Sequence, residues 1–71
     1  MTPDEIEHRI LRYDTHMHAA ETLDVAAASH EDRADRFERI GQRTLAMQER
    51  GLARNDRQRA ENARHRASDW R

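Results

Sequence analysis

Five histidines and fourteen carboxylates in 71 residues are the side chains that could bind a metal or move a proton. Asp14, His18 and Glu21 follow one another at steps of four and three, which places them on one face of a helix, with Glu7 on the same stripe. Carboxylates and an imidazole on one helix face are the ligand types of di-iron helix bundles. Those sites use a Glu-x-x-His order on paired helices. Here the order is His18-x-x-Glu21, with no second copy. His16 and His18 are two residues apart and point to different faces. The arrangement reads as a solvated polar face, and neither a metal nor a cofactor is expected. No nucleophile, base and orienting group can be assembled, and there is no Gly-rich phosphate loop and no His-Glu-x-x-His. With no cysteine there is neither a disulfide framework nor a thiolate ligand. The chain is not expected to be an enzyme.

Arginine is the other chemical resource. All thirteen basic residues are Arg and none is Lys, a bias that a GC-rich genome explains more simply than a need for guanidinium chemistry. Residues 1–38 carry ten acids against four arginines, and residues 50–71 carry seven arginines against three acids. Guanidinium forks match phosphates and Trp70 can stack on a base, so nucleic-acid binding through the Arg-rich end is one reading. Asp56, Glu61 and Asp69 interrupt the run, however, and Arg57, Arg59, Arg64 and Arg66 spread around a helix instead of forming a basic stripe. The favoured reading is a docking stripe for a protein partner with an acidic surface. It consists of Ala60, Ala63, Ala67 and Trp70 at steps of three, four and three, flanked by Arg59, Arg64 and Arg66.

The elements that position these residues are helical. Eleven alanines, one Pro, two Gly and few β-branched or aromatic residues suit long helices and not a sheet. Thr2-Pro3-Asp4-Glu5 is a helix start, with Thr2 as cap, Pro3 at the first helical position and Glu5 completing a capping box. From it runs the stripe Ile6, Ile10, Tyr13, Met17, Ala20, Leu23, Ala27, which predicts a first helix over about residues 3–27. Ala28-Ser29 is the expected turn, with Ser29 capping a second helix from about residue 30 that carries Ala34, Phe37, Ile40, Thr44 and Met47 on one stripe. That helix is expected to continue to about residue 68, through a possible stop at Gly51. Residues 1–57 then form a helical hairpin with Asp4, Glu5 and Glu7 beside Arg50, Arg54 and Arg57, and residues 58–71 overhang it.

Along the second half, Gln48, Asn55 and Asn62 recur every seven residues, as do Leu45, Leu52, Arg59 and Arg66, a polar pattern that a solvated helix also shows by chance. Only fourteen residues are large apolar types, too few for a solitary core in so short a chain. The expectation is an all-α hairpin with a long second helix and coiled-coil-like packing. It dimerises into a four-helix bundle through Ile6, Ile10, Tyr13, Met17, Phe37, Ile40, Thr44 and Met47. No apolar run approaches the ~20 residues of a membrane span and the first residues are acidic, so the reading is a cytoplasmic, non-enzymatic interaction protein acting as an adaptor or regulator of a larger complex.

Overall fold

A computed structural model describes all 71 residues, which form two α-helices, α1 (Pro3–Arg39) and α2 (Arg43–Ser68), folded back on each other with no strand. The backbone is a rod, 59 Å long and 13 by 10 Å across. Its first end is built as the sequence predicts. The Glu5 amide donates to Thr2 Oγ1 at 3.2 Å and the Thr2 amide donates to Glu5 Oε2 at 3.4 Å, a reciprocal capping box that satisfies otherwise free amides at the start of α1.

The turn is not at residues 28–29. α1 runs unbroken through Ser29, whose hydroxyl accepts from Arg33 Nη1 at 3.3 Å instead of capping a new helix. Ala26, Ala27 and Ala28 hold the helix on one side, and Ala27 and Ala34, seven residues apart, both lie buried against α2, so packing continues across the expected break. The stop comes at Gly41, at φ 80°, in the left-handed region that glycine enters without a Cβ penalty. The Gln42 amide donates to the Phe37 carbonyl at 2.8 Å and the Gly41 amide to the Glu38 carbonyl at 3.1 Å, the two bonds of a Schellman motif. The second glycine behaves in the opposite way. Gly51 lies within α2, with ordinary helical neighbours on both sides.

Moving the turn by a dozen residues changes what faces what. The seam between the helices is lined by alanine: Ala20, Ala27 and Ala34 from α1, and Ala46, Ala53, Ala60, Ala63 and Ala67 from α2, all buried. On α2 the repeat is strict, with Ala46, Ala53, Ala60 and Ala67 every seven residues. The larger seam residues alternate with these alanines at three- and four-residue steps and are half-buried, namely Tyr13, His16, Leu23, His30 and Phe37 on α1 and Glu49, Asp56 and Trp70 on α2. Methyl side chains let two backbones approach closely, and that close approach makes so slender a rod possible.

α1 is the longer helix, 37 residues against 26, so with the turn at residues 40–42 its N-terminal turns run past the end of α2. The expected overhang is thereby reversed. Residues 58–71 are not a free extension, because Ala60 and Ala63 cluster with Ala20 and Leu23.

Candidate functional site

The most concentrated chemistry lies within the seam. His30 Nδ1 is 2.5 Å from Glu49 Oε2, a separation that requires a proton between them, so Nδ1–H donates to Glu49. On the other side of the ring Nε2 is 3.6 Å from Asp56 Oδ2. Arg33 Nε reaches the same Glu49 oxygen at 3.5 Å. Arg33 Nη2 is also 2.9 Å from His30 Nδ1, but that nitrogen's proton already points to Glu49, so the approach is a contact between donors. The hydrogen bond from His30, reinforced by Arg33 and opposed by desolvation, holds the Glu49 carboxyl below its ordinary value. This cluster locks the alignment of the helices. Sliding α2 by one turn would separate His30 from both carboxylates and leave charges facing alanine.

On one flank of the seam the two helices are joined by a ladder. Arg50 pairs with Glu38 and lies 3.5 Å from Asp35, Arg57 is 2.6 Å from Glu31 and 3.4 Å from Asp24, and Arg64 pairs with Asp24. The rungs are spaced by seven on both sides: Arg50, Arg57 and Arg64 against Glu38, Glu31 and Asp24. The hydrogen bond to Glu38 pushes the Arg50 guanidinium still higher. Exposed ion pairs contribute little singly, but a run of them fixes antiparallel orientation. The acidic partners are thus not Asp4, Glu5 and Glu7, which the sequence placed beside Arg50, Arg54 and Arg57. Outward of the ladder on the same flank, Glu7, Asp14 and Glu21 stand exposed at seven-residue intervals with no basic partner, and Arg43, one step before Arg50 in the arginine series, has no acidic one.

The opposite flank is different in kind. α1 presents Thr15, Ala19, Thr22, Ala26 and Ser29 there, and α2 presents Leu45, Gln48, Leu52, Asn55, Arg59, Asn62 and Arg66. The two heptad series of the second helix are therefore one surface, on which Asp69 is the only carboxylate contributed by those series, with Arg59 3.8 Å from Asp56 of the seam.

The third feature is the open end of the rod. Trp70 meets the edge of His8 at a centroid distance of 5.3 Å and lies 6.0 Å below the Arg12 guanidinium. Arg71 lies 5.6 Å over the Tyr13 ring and donates to its hydroxyl at 3.4 Å, which raises the guanidinium further. Met1, Ile6, Ile10, Tyr13 and Trp70 surround an open recess of about 350 Å³.

The residues singled out from sequence divide accordingly. Of the docking stripe, Ala60, Ala63 and Ala67 are buried against α1 of the same chain and cannot meet a partner. The spacing was read correctly as a helix-packing stripe, but its partner is intramolecular. Arg64 is tied to Asp24 and Glu61, and Trp70 is half-buried. Arg59 and Arg66 remain on the surface. Of the eight residues expected at an oligomer core, Tyr13, Met17 and Phe37 are half-buried, while Ile6, Ile10, Ile40, Thr44 and Met47 are exposed, Ile40 and Met47 at 70%. Ile6 through Met17 lie at the open end and Phe37 through Met47 around the turn, at opposite ends of the rod, so they do not face each other within one chain. Sequence reasoning missed His30, Glu49 and Asp56. Their signal was present, since each stands at a seam position set by the seven-residue alanine repeat.

Asp14, His18 and Glu21 are all exposed, and nowhere does a group of three or more His, Asp or Glu side chains converge as metal donors. No helix is long and apolar enough to cross a membrane. No protein-family model, curated protein or solved structure matches the chain.

Proposed function

We propose that this chain is a small non-enzymatic interaction protein, a cytoplasmic adaptor or regulator that self-associates into a four-helix bundle and presents a basic surface to an acidic protein partner. One observation carries the reading: the hairpin closes its seam with alanine and leaves most of its large aliphatic side chains outside. No large side chain is fully buried, whereas Ile10, Leu11, Val25, Ile40 and Met47 are each more than half exposed. A chain that buries its alanines and displays most of its large aliphatic residues is built for further association. Arg59 and Arg66, on the flank almost free of carboxylates, supply the charge that selects an acidic surface.

The experiment has two parts. Sedimentation equilibrium across micromolar to millimolar chain concentrations should report at least a dimer, and a monomer throughout that range refutes self-association. Exchange of Arg59 and Arg66 for Ser should abolish retention of acidic protein partners from host extract while leaving the hairpin's helicity intact; unchanged retention refutes the assigned surface. The same flank supports nucleic-acid binding as a second reading, because Arg66 has no acidic partner there and Arg59 only the 3.8 Å approach of Asp56. That reading requires an affinity for duplex or single strands that falls steeply with salt as counterions are released.

A further inference from the structure

We propose that two copies of this chain join at their open ends, the first turns of α1 in one running antiparallel to those of the other and continuing the line of its α2. This goes beyond the bundle proposed above. A bundle joins rods along their sides, this contact joins them end to end, and either can fail without the other. The groove on α1 does not stop where α2 does. α2 ends at Ser68 and Trp70 reaches as far as His8, so the face of α1 that packs on α2 continues bare through its first turns. Ile6 lies on that face, in the seven-residue series of Tyr13, Ala20 and Ala27, and is 46% exposed. Ile10 beside it is 55% exposed. A two-fold axis perpendicular to the rods sets α1 against α1. The second α1 then runs in the direction of α2 and takes the line that α2 leaves vacant. The carbonyl end of each α2 points at the amide end of the other copy's α1, the favourable order of helix dipoles.

The overhang is also complementary to itself in charge. Asp4, Glu5 and Glu7 come first along the helix and Arg9 and Arg12 after them, so reversal brings acids of one copy to arginines of the other. Arg12 is engaged with Trp70, which leaves Glu5 and Arg9 as the pair at the contact. Both border the bare face on the side of Trp70 and His8, and neither takes part in an ion pair within the chain. Glu5 bonds the Thr2 amide through one carboxyl oxygen and keeps the other free. On the other side of the face Ile6 and Ile10 meet the same residues of the second copy. The recess there is lined by apolar residues together with Arg9 and Arg71 and by no carboxylate, which suits the acidic first turn that enters it. Symmetry makes each contact twice and closes the assembly at two copies. A few turns from each copy bury less than a standard interface, so the dimer forms at high chain concentration.

Shape and charge test the contact together. Small-angle X-ray scattering at millimolar chain concentration should give a dimer with a maximum backbone dimension of about 100 Å, two 59 Å rods sharing the ~15 Å of about ten helical residues. Arg9→Glu should weaken this dimer about tenfold at low salt. Glu5→Gln keeps the capping box, and it should weaken the parent dimer but strengthen the Arg9→Glu dimer, where it removes a repulsion. Glu5 and Arg9 also lie four residues apart on one helix, but that interaction is present in monomer and dimer alike and cancels from the constant. Circular dichroism at high dilution should show the same helicity in all variants. Weakening by Glu5→Gln in both backgrounds overturns the pairing. A dimer no longer than one rod overturns the end contact and leaves the bundle standing, and a chain that stays monomeric at millimolar concentration removes both.

Discussion

Replacing Ala60 by Leu separates two descriptions of this chain. Ala60 is fully buried at the middle of the seam, against Ala20, Ala63 and Leu23. Three added heavy atoms have no void to enter there, because close approach of the helices depends on methyl groups at these positions. Overpacking of a closed core costs roughly 1–3 kcal/mol. At about 4–8 °C per kcal/mol for a domain of this size, the midpoint of thermal unfolding should fall by roughly 4–24 °C, measured by far-ultraviolet circular dichroism at fixed chain concentration. Ala28→Leu is the control, since Ala28 is exposed on α1 and both residues are strong helix formers; its effect should stay within about 0.5 kcal/mol. If Ala60 were part of an outward docking stripe, Ala60→Leu would be as innocuous as Ala28→Leu or mildly stabilising. A melting point that does not fall therefore refutes the alanine seam.

Gly41→Ala meets no atom within 4 Å but forces a side chain into the left-handed region, so it should cost about 1 kcal/mol, whereas Gly51→Ala, inside α2, should stabilise by roughly 0.5–1 kcal/mol; chemical denaturation of the two side by side checks the opposite signs. The carboxyl of Glu49 is held below its ordinary 4.5, so its contribution to stability is fully present above that value and is lost as pH falls through the lowered one. Glu49→Gln should flatten that part of the acid-unfolding curve, and a curve as steep as the parent's would exclude Glu49 as its source. Deleting residues 58–71 removes Ala60, Ala63, Ala67 and Trp70 from the seam and should destroy cooperative unfolding, where an overhang would have been dispensable; a sharp melt in the truncated chain contradicts the fold.

The helical class, the start at Thr2, the hairpin and the continuity of α2 through Gly51 are all legible in the sequence, because capping chemistry and local propensity decide them. The position of the turn is not read correctly. Ser29 carries a good capping side chain, but the contribution of one cap is about 1 kcal/mol and the alanine packing on both sides of it outweighs that. Gly41 was the better signal, as the glycine that no strong helix-forming seam residue overrode. The site was obscured by the same error. Weighting large apolar residues made Ile6, Phe37 and Met47 look like the core, while Ala60, Ala63 and Ala67, which help build the seam, looked like a docking surface. Once Ala46, Ala53, Ala60 and Ala67 are taken as the reference, His30, Glu49 and Asp56 fall into place as its polar centre.

A single turn at Gly41 also sets an order in time. Residues next to the turn meet across a short stretch of chain, as Arg50 does with Glu38, whereas Trp70 and His8 are joined only when nearly the whole chain has been gathered. The entropy lost in closing each loop grows with its length, so the helices zip from the turn toward the open end. In reverse, the open end frays first and the turn end last. Backbone amides of α1 and α2 should therefore exchange with solvent in a gradient along the rod, with no uniformly protected centre. The surface formed at the open end exists only in molecules that have closed completely, which makes a partner that grips Trp70 and Tyr13 a reporter of finished folding.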